Sequence, residues 1–130
     1  MRFVLCVAGF VGVLSGCLPD VDRESGVPSF SEVRDQVLLP SCGFSSCHGG
    51  GAGGLTLEDG GVFDALVGVP SAQAPAYLLV VEGYPEESYL MLKMDDSMDS
   101  LGEPMPPGGG MEPERVEMVR AWIEAGALED

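Results

Sequence analysis

The sequence holds a single histidine, His48, and that scarcity limits its chemistry more than any other feature. A Ser-His-Asp hydrolase would have to use that residue, and blue copper normally takes two histidines. Structural zinc on Cys42, Cys47 and His48 would still need a carboxylate from elsewhere. Basic residues are also few: six Lys and Arg stand against 21 Asp and Glu, a formal charge of −15. Such a surface repels nucleic acid phosphates and anionic headgroups, so nucleic acid is not an expected partner. It steers docking toward a basic protein, or simply keeps the domain soluble. Aromatics make up only 7% of the chain while glycine reaches 19 residues, which predicts a thin hydrophobic core needing a disulfide, metal or cofactor as a staple. The apolar run Phe3 to Leu14 falls short of the roughly 20 residues that a membrane-spanning helix requires.

That run, preceded by Arg2, has the layout of a secretory leader. Leu14-Ser15-Gly16-Cys17 resembles the bacterial lipobox, in which small residues admit the lipoprotein signal peptidase before a lipidated cysteine. The resemblance implies that residues 1–16 are removed and that Cys17 becomes an acylated N-terminus, anchored stably to the outer or inner membrane. The domain would then face the periplasm or the cell exterior. The competing reading is an ordinary signal peptide with a chance cysteine. Removal leaves 114 residues, enough for one domain, with five basic residues against 21 acidic ones and a formal charge of −16. Residues 17–28 mix Pro, Asp, Glu, Ser and Gly without apolar periodicity and read as a flexible tether; the domain covers 29–130.

Within it, Ser29-Phe30-Ser31-Glu32 has the form of a capping box, followed by Val33, Val37 and Leu38 at helical spacing, a helix expected to end near Pro40. Leu55 to Leu57 predicts a brief extended piece, Val62 to Val67 one or two helical turns, and Tyr77 to Val81 a β-compatible run. Pro85 suits the start of a helix over 86–94. Asp95 to Glu103 reads as a solvated acidic loop. Pro113, Glu112 and Glu114 mark the start of the clearest helix, with Val116, Val119, Trp122 and Ile123 on one face and Gly126 at its end. Met91 and Met94, with Met98, sit at helical spacing and read as core or pocket filler, as do Trp122, Tyr89 and Phe30.

Four cysteines are present. Cys6 leaves with the leader and Cys17 goes to lipid, so Cys42 and Cys47 remain. They belong to Cys42-Gly43-Phe44-Ser45-Ser46-Cys47-His48. Two thiols that can add to the two vinyl groups of haem, with an adjacent imidazole to reach the iron, are what covalent haem attachment requires, usually as C-x-x-C-H. Four residues separate the cysteines here. Two other readings stay open at this point. One is a haem-free structural or binding lipoprotein with a Cys42–Cys47 disulfide. The other is a Cu(I) carrier using thiolates and methionines.

From Phe30 to Leu128 the landmarks resemble the small cytochrome c domains of lipoproteins and multidomain proteins in myxobacteria and planctomycetes. These landmarks are "LLPSCGFSSCHGG", "GGLTL", "EGYPEESYLMLKM", "PMPPGGG" and "RVEMVRAWIEAGAL". The wider spacer resembles a variant of some multihaem cytochromes, in which the longer loop bulges outward. The resemblance implies a mainly α, class I cytochrome c-like domain of three to four short helices around one haem c, with long glycine-rich loops. Cys42 and Cys47 would form the thioethers, His48 would be the proximal ligand, and Met105 of Met-Pro-Pro the distal one, with Met111, Met98 or an open position as fallbacks. It also implies that the first and last helices cross, with Trp122, Val116 and Val119 near the haem edge. Pro106 and Pro107 make a stiff turn that presents Met105 at low entropic cost. His/Met ligation raises the reduction potential. The implied function is transfer of single electrons to a redox partner protein, not catalysis, unless the distal position is open.

Overall fold

The computed structural model describes residues 26–96, 100–108 and 110–130. The leader, Cys17, the tether up to Ser25 and Met98 lie outside the described residues. The architecture is mainly helical, and no helix among the described residues is long and apolar enough to cross a membrane.

The capping box forms as its residues predict. Glu32 N–H donates to Ser29 Oγ at 3.2 Å, and Ser29 N–H donates to Glu32 Oε2 at 2.9 Å, so two end donors are satisfied reciprocally. The helix beyond it, α1, consists of three consecutive stretches, Phe30–Val33, Arg34–Leu38 and Leu39–Cys42. The expected stop near Pro40 is corrected: the helix runs two residues past it. The reason is a widened π turn over Arg34–Leu38, in which Leu39 N–H reaches Arg34 O. Proline has no N–H to give and its ring crowds the preceding turn, and a locally widened turn relieves both. This extension brings Cys42 onto the end of a helix whose other residues, Val33, Val37 and Leu38, are fully buried.

Helix α2 is Val62–Leu66, the short turn expected there. The run Tyr77 to Val81 does not build a strand ladder. It makes isolated bridges, Val67 with Val80 and Pro70 with Leu78. Helix α3 is Tyr89–Met94, shorter than expected because Ser88 interrupts the path from the turn Pro85–Glu87. Ser88 is fully buried in an extended conformation. Its hydroxyl accepts from Val81 N–H at 2.8 Å and donates to Tyr84 O at 2.9 Å, competing with helical pairing.

Helix α4, Pro113–Glu124, ends as the sequence predicts: Gly126 takes φ +110, and Ala127 N–H returns to Trp122 O at 2.9 Å. Its buried face meets α1. The Phe30 ring lies 5.4 Å from Trp122 and 5.2 Å edge-on from Phe63, and Trp122 Nε1–H donates to Leu128 O. With Leu57, Leu66, Val80, Met91 and Ile123 this makes one dry cluster, a more substantial core than the composition predicts.

Candidate functional site

Beyond Cys42 the chain turns sharply. Gly43 N–H closes the helix on Leu39 O, and Phe44 O then accepts from both Cys47 N–H and Gly49 N–H at 2.8 and 3.0 Å. Phe44, Ser45 and Ser46 of the four-residue spacer are exposed to solvent. The glycines after His48 are what allow this turn. A Cβ on Gly49 would fall on Gly43 O, and one on Gly50 would fall on Ser45 O. Only bare backbone fits under the loop.

His48 is held from both ends of the segment that follows. Its carbonyl accepts from Leu57 N–H at 2.8 Å, and its Nδ1 lies 3.3 Å from Leu55 O. A carbonyl oxygen only accepts, so Nδ1 carries the proton in this bond, which leaves the lone pair on Nε2 as the imidazole's ligating atom. Such an outer hydrogen bond is the usual way a metal-binding histidine is oriented.

One cavity of about 400 Å³ has Cys42, His48 and Met105 in its wall, together with Leu38, Leu57 and Leu90. That size falls within the roughly 300–1,000 Å³ of cofactor and ligand sites, and the lining is mostly aliphatic and glycine backbone. Gly53 and Gly54 close one side, where a Cβ on Gly54 would sit 2.7 Å from Ala72 Cβ. A thiol, an imidazole and a thioether, donor types that haem ligation and attachment use, therefore border one mostly apolar space.

Of the expected site residues, Cys42, His48 and Met105 share this wall and Cys47 does not. Cys47 is half-buried, with Sγ 3.7 Å from Ser46 Oγ. Both cysteines are free thiols. Burial, with a smaller contribution from Cys47, pushes the Cys42 thiol up to about 11, so at neutral pH it stays protonated. Among the described residues no three His, Cys, Asp or Glu side chains converge on a point that could hold a bare metal ion.

Met111 lies in the wall of a different cavity of about 290 Å³, beside Asp95, Glu117 and Arg120, and is away from His48. Met94 borders both cavities and Met91 is fully buried, as expected of filler. Trp122, Val116 and Val119 are corrected in place: they belong to the α1–α4 core and none lines the cavity.

Two wall residues escaped the sequence reading in this role. Lys93 is only 7% exposed, and burial pushes its pKa down, a shift that Glu103 partly opposes. Tyr89, read as core, turns its hydroxyl to Leu101, accepting from the Leu101 N–H at 3.0 Å. The available signal was that Lys93 is the only lysine in the sequence and lies between Leu92 and Met94 on a helix. Comparison with protein-family models, with curated proteins and with solved structures finds no match to this chain.

Proposed function

We propose that this chain is a single-haem c-type cytochrome that carries single electrons outside the cytoplasm, tethered to a membrane by lipid on Cys17. The observation that carries the reading is that Met105, far along the chain, meets Cys42 and His48 of one short segment in the wall of a mostly apolar cavity. Chance would rarely bring the only histidine, a cysteine of the pair and the Met-Pro-Pro methionine around the same empty space. Cys42 and Cys47 would hold the porphyrin by thioethers, and His48 and Met105 would hold its iron. When bound, haem c supplies an iron that cycles between ferrous and ferric states.

The chain's own residues do the rest. The bond from His48 Nδ1 to Leu55 O fixes the imidazole's orientation and tautomer. The apolar side chains of Leu38, Leu57 and Leu90 would give the group a low-polarity wall, and a neutral thioether at Met105 would favour the reduced state. If His48 and Met105 both held the iron, no ligand position would be left for a substrate, which favours electron transfer over catalysis. An acidic surface fits a basic redox partner.

A reduced-minus-oxidised visible spectrum tests this on protein made in cells that have the cytochrome c maturation machinery. Haem absorbance that survives acid denaturation is expected. A colourless protein from such cells would remove the proposal.

A further inference from the structure

Met105 sits in an irregular segment, yet the structure ties that segment to α3 at several points, and most of them involve a single residue. Lys93 O accepts from Met105 N–H at 2.8 Å. The Lys93 ammonium donates to Leu101 O at 2.5 Å and to Glu103 O at 2.7 Å. It lies 5.9 Å from the Tyr89 ring centre, and the Tyr89 hydroxyl accepts from Leu101 N–H at 3.0 Å. We infer that Lys93, supported by Tyr89, is the positioning residue for Met105: it latches the loop 100–105 to α3 and so holds the thioether in the cavity wall. The inference rests on the cytochrome reading for its purpose, but not for its geometry.

The chemistry explains why a lysine stands there. A buried ammonium is costly unless its donors are satisfied, and an irregular segment is costly to order unless its carbonyls find donors. Lys93 meets both needs, because a compact charge with rotatable donors can reach two carbonyls of one turn, whereas the fixed fork of an arginine suits a carboxylate better. The loop is shaped to approach it. Gly102 takes φ +75, and a Cβ there would meet Gln73 Nε2 at 2.9 Å and lie 3.8 Å from Lys93 Nζ. The exposed side chains of Leu101 and Glu103 face solvent while their carbonyls turn inward to the ammonium. The latch's hydrogen bonds therefore run to main-chain atoms, and the Glu103 carboxylate adds only its charge.

Lys93→Met is the informative variant. It keeps the length and apolar stem of a residue already buried among Met91, Leu92 and Met94, so the fold is retained, but it removes both donors. Two measurements apply to the full-length protein. The first is hydrogen exchange across 100–105, which is expected to quicken in Lys93→Met and less so in Tyr89→Phe. The second is titration of the oxidised, haem-loaded protein with imidazole, which must displace Met105. Because a competing ligand's apparent affinity scales with the open fraction, Lys93→Met should bind imidazole about tenfold or more tightly than the parent, approaching Met105→Ala. The near-infrared absorption of thioether-bound ferric haem should weaken in parallel, and Lys93→Arg should restore part of it. Unchanged exchange and unchanged imidazole affinity in a loaded Lys93→Met would overturn the latch. Quickened exchange in a protein that never takes up haem would keep the latch and remove the cytochrome reading.

Discussion

The two sides of the molecule are finished by different means. Where α1 meets α4, side chains close the interior completely: Val33, Val37, Val119 and Ile123 are fully buried, and Phe30 fills the space between Phe63 and Trp122. Where α1 ends at Cys42, the chain instead winds through glycines and the loop 100–105 around a cavity of about 400 Å³. A hollow of this size among mostly aliphatic walls falls in the range of cofactor and ligand sites, and it is the space on which the haem proposal rests. The packed side should hold the fold whatever fills the other, and the hollow side should change most when it is filled.

The largest effect should come from breaking the packed side. Trp122→Ala removes a side chain that is 2% exposed, tilted against the Phe30 ring and bonded to Leu128 O. A loss of about 3–5 kcal/mol is expected by denaturant unfolding of the haem-free chain, a large share of a small domain's stability. A loss under about 1 kcal/mol would show that the α1–α4 cluster is not what holds the fold.

Gly50→Ala probes the loop beside the hollow. Its methyl would fall on Ser45 O, so the Cys42–His48 turn must open, at an expected cost of about 1–3 kcal/mol. Haem yield per polypeptide should fall with it, while the far side stays folded by Trp122 fluorescence. Normal yield and melting temperature would mean that the turn is looser than the structure has it.

A pH window also separates the empty and filled states. In the haem-free chain the Cys42 thiol ionises near 9 when unfolded and near 11 when folded. Between those values the folded state holds the extra proton, so stability is full below the lower value and is lost as pH rises toward the higher one. The loss is on the order of 2 kcal/mol. A thioether has no such proton, so the window should vanish in haem-loaded protein, as unfolding midpoints across that range would reveal. A window of equal size in both would argue that Cys42 is not the attached sulfur.

The packed side was the more legible in sequence, because local rules and tertiary packing agree there. The capping box at Ser29 and Glu32 and the Gly126 stop are complete in a few residues, and the face of Val116, Val119, Trp122 and Ile123 is buried as its period predicts. At Pro40 the local rule misled, since a π turn one step earlier absorbs the missing donor. Ser88 misled in the other direction: its buried hydroxyl takes up main-chain groups of Val81 and Tyr84, seven and four residues away, which no helical propensity encodes. The run 77–81 looked like a strand but found only single-residue partners. In the site, residue chemistry singled out His48 with its cysteines, and resemblance singled out Met105. The Lys93 contacts join α3 to carbonyls eight and ten residues on, which are invisible in side-chain patterns because they use main-chain oxygen.

The central claim is that the hollow belongs to a covalently attached haem. Intact and peptide mass spectrometry of the exported chain, from a host with cytochrome c maturation machinery, tests it most directly. The account predicts one haem mass on the mature polypeptide, carried by the fragment that contains Cys42, Cys47 and His48. A fragment whose two sulfurs are joined to each other, with no prosthetic mass, would contradict it.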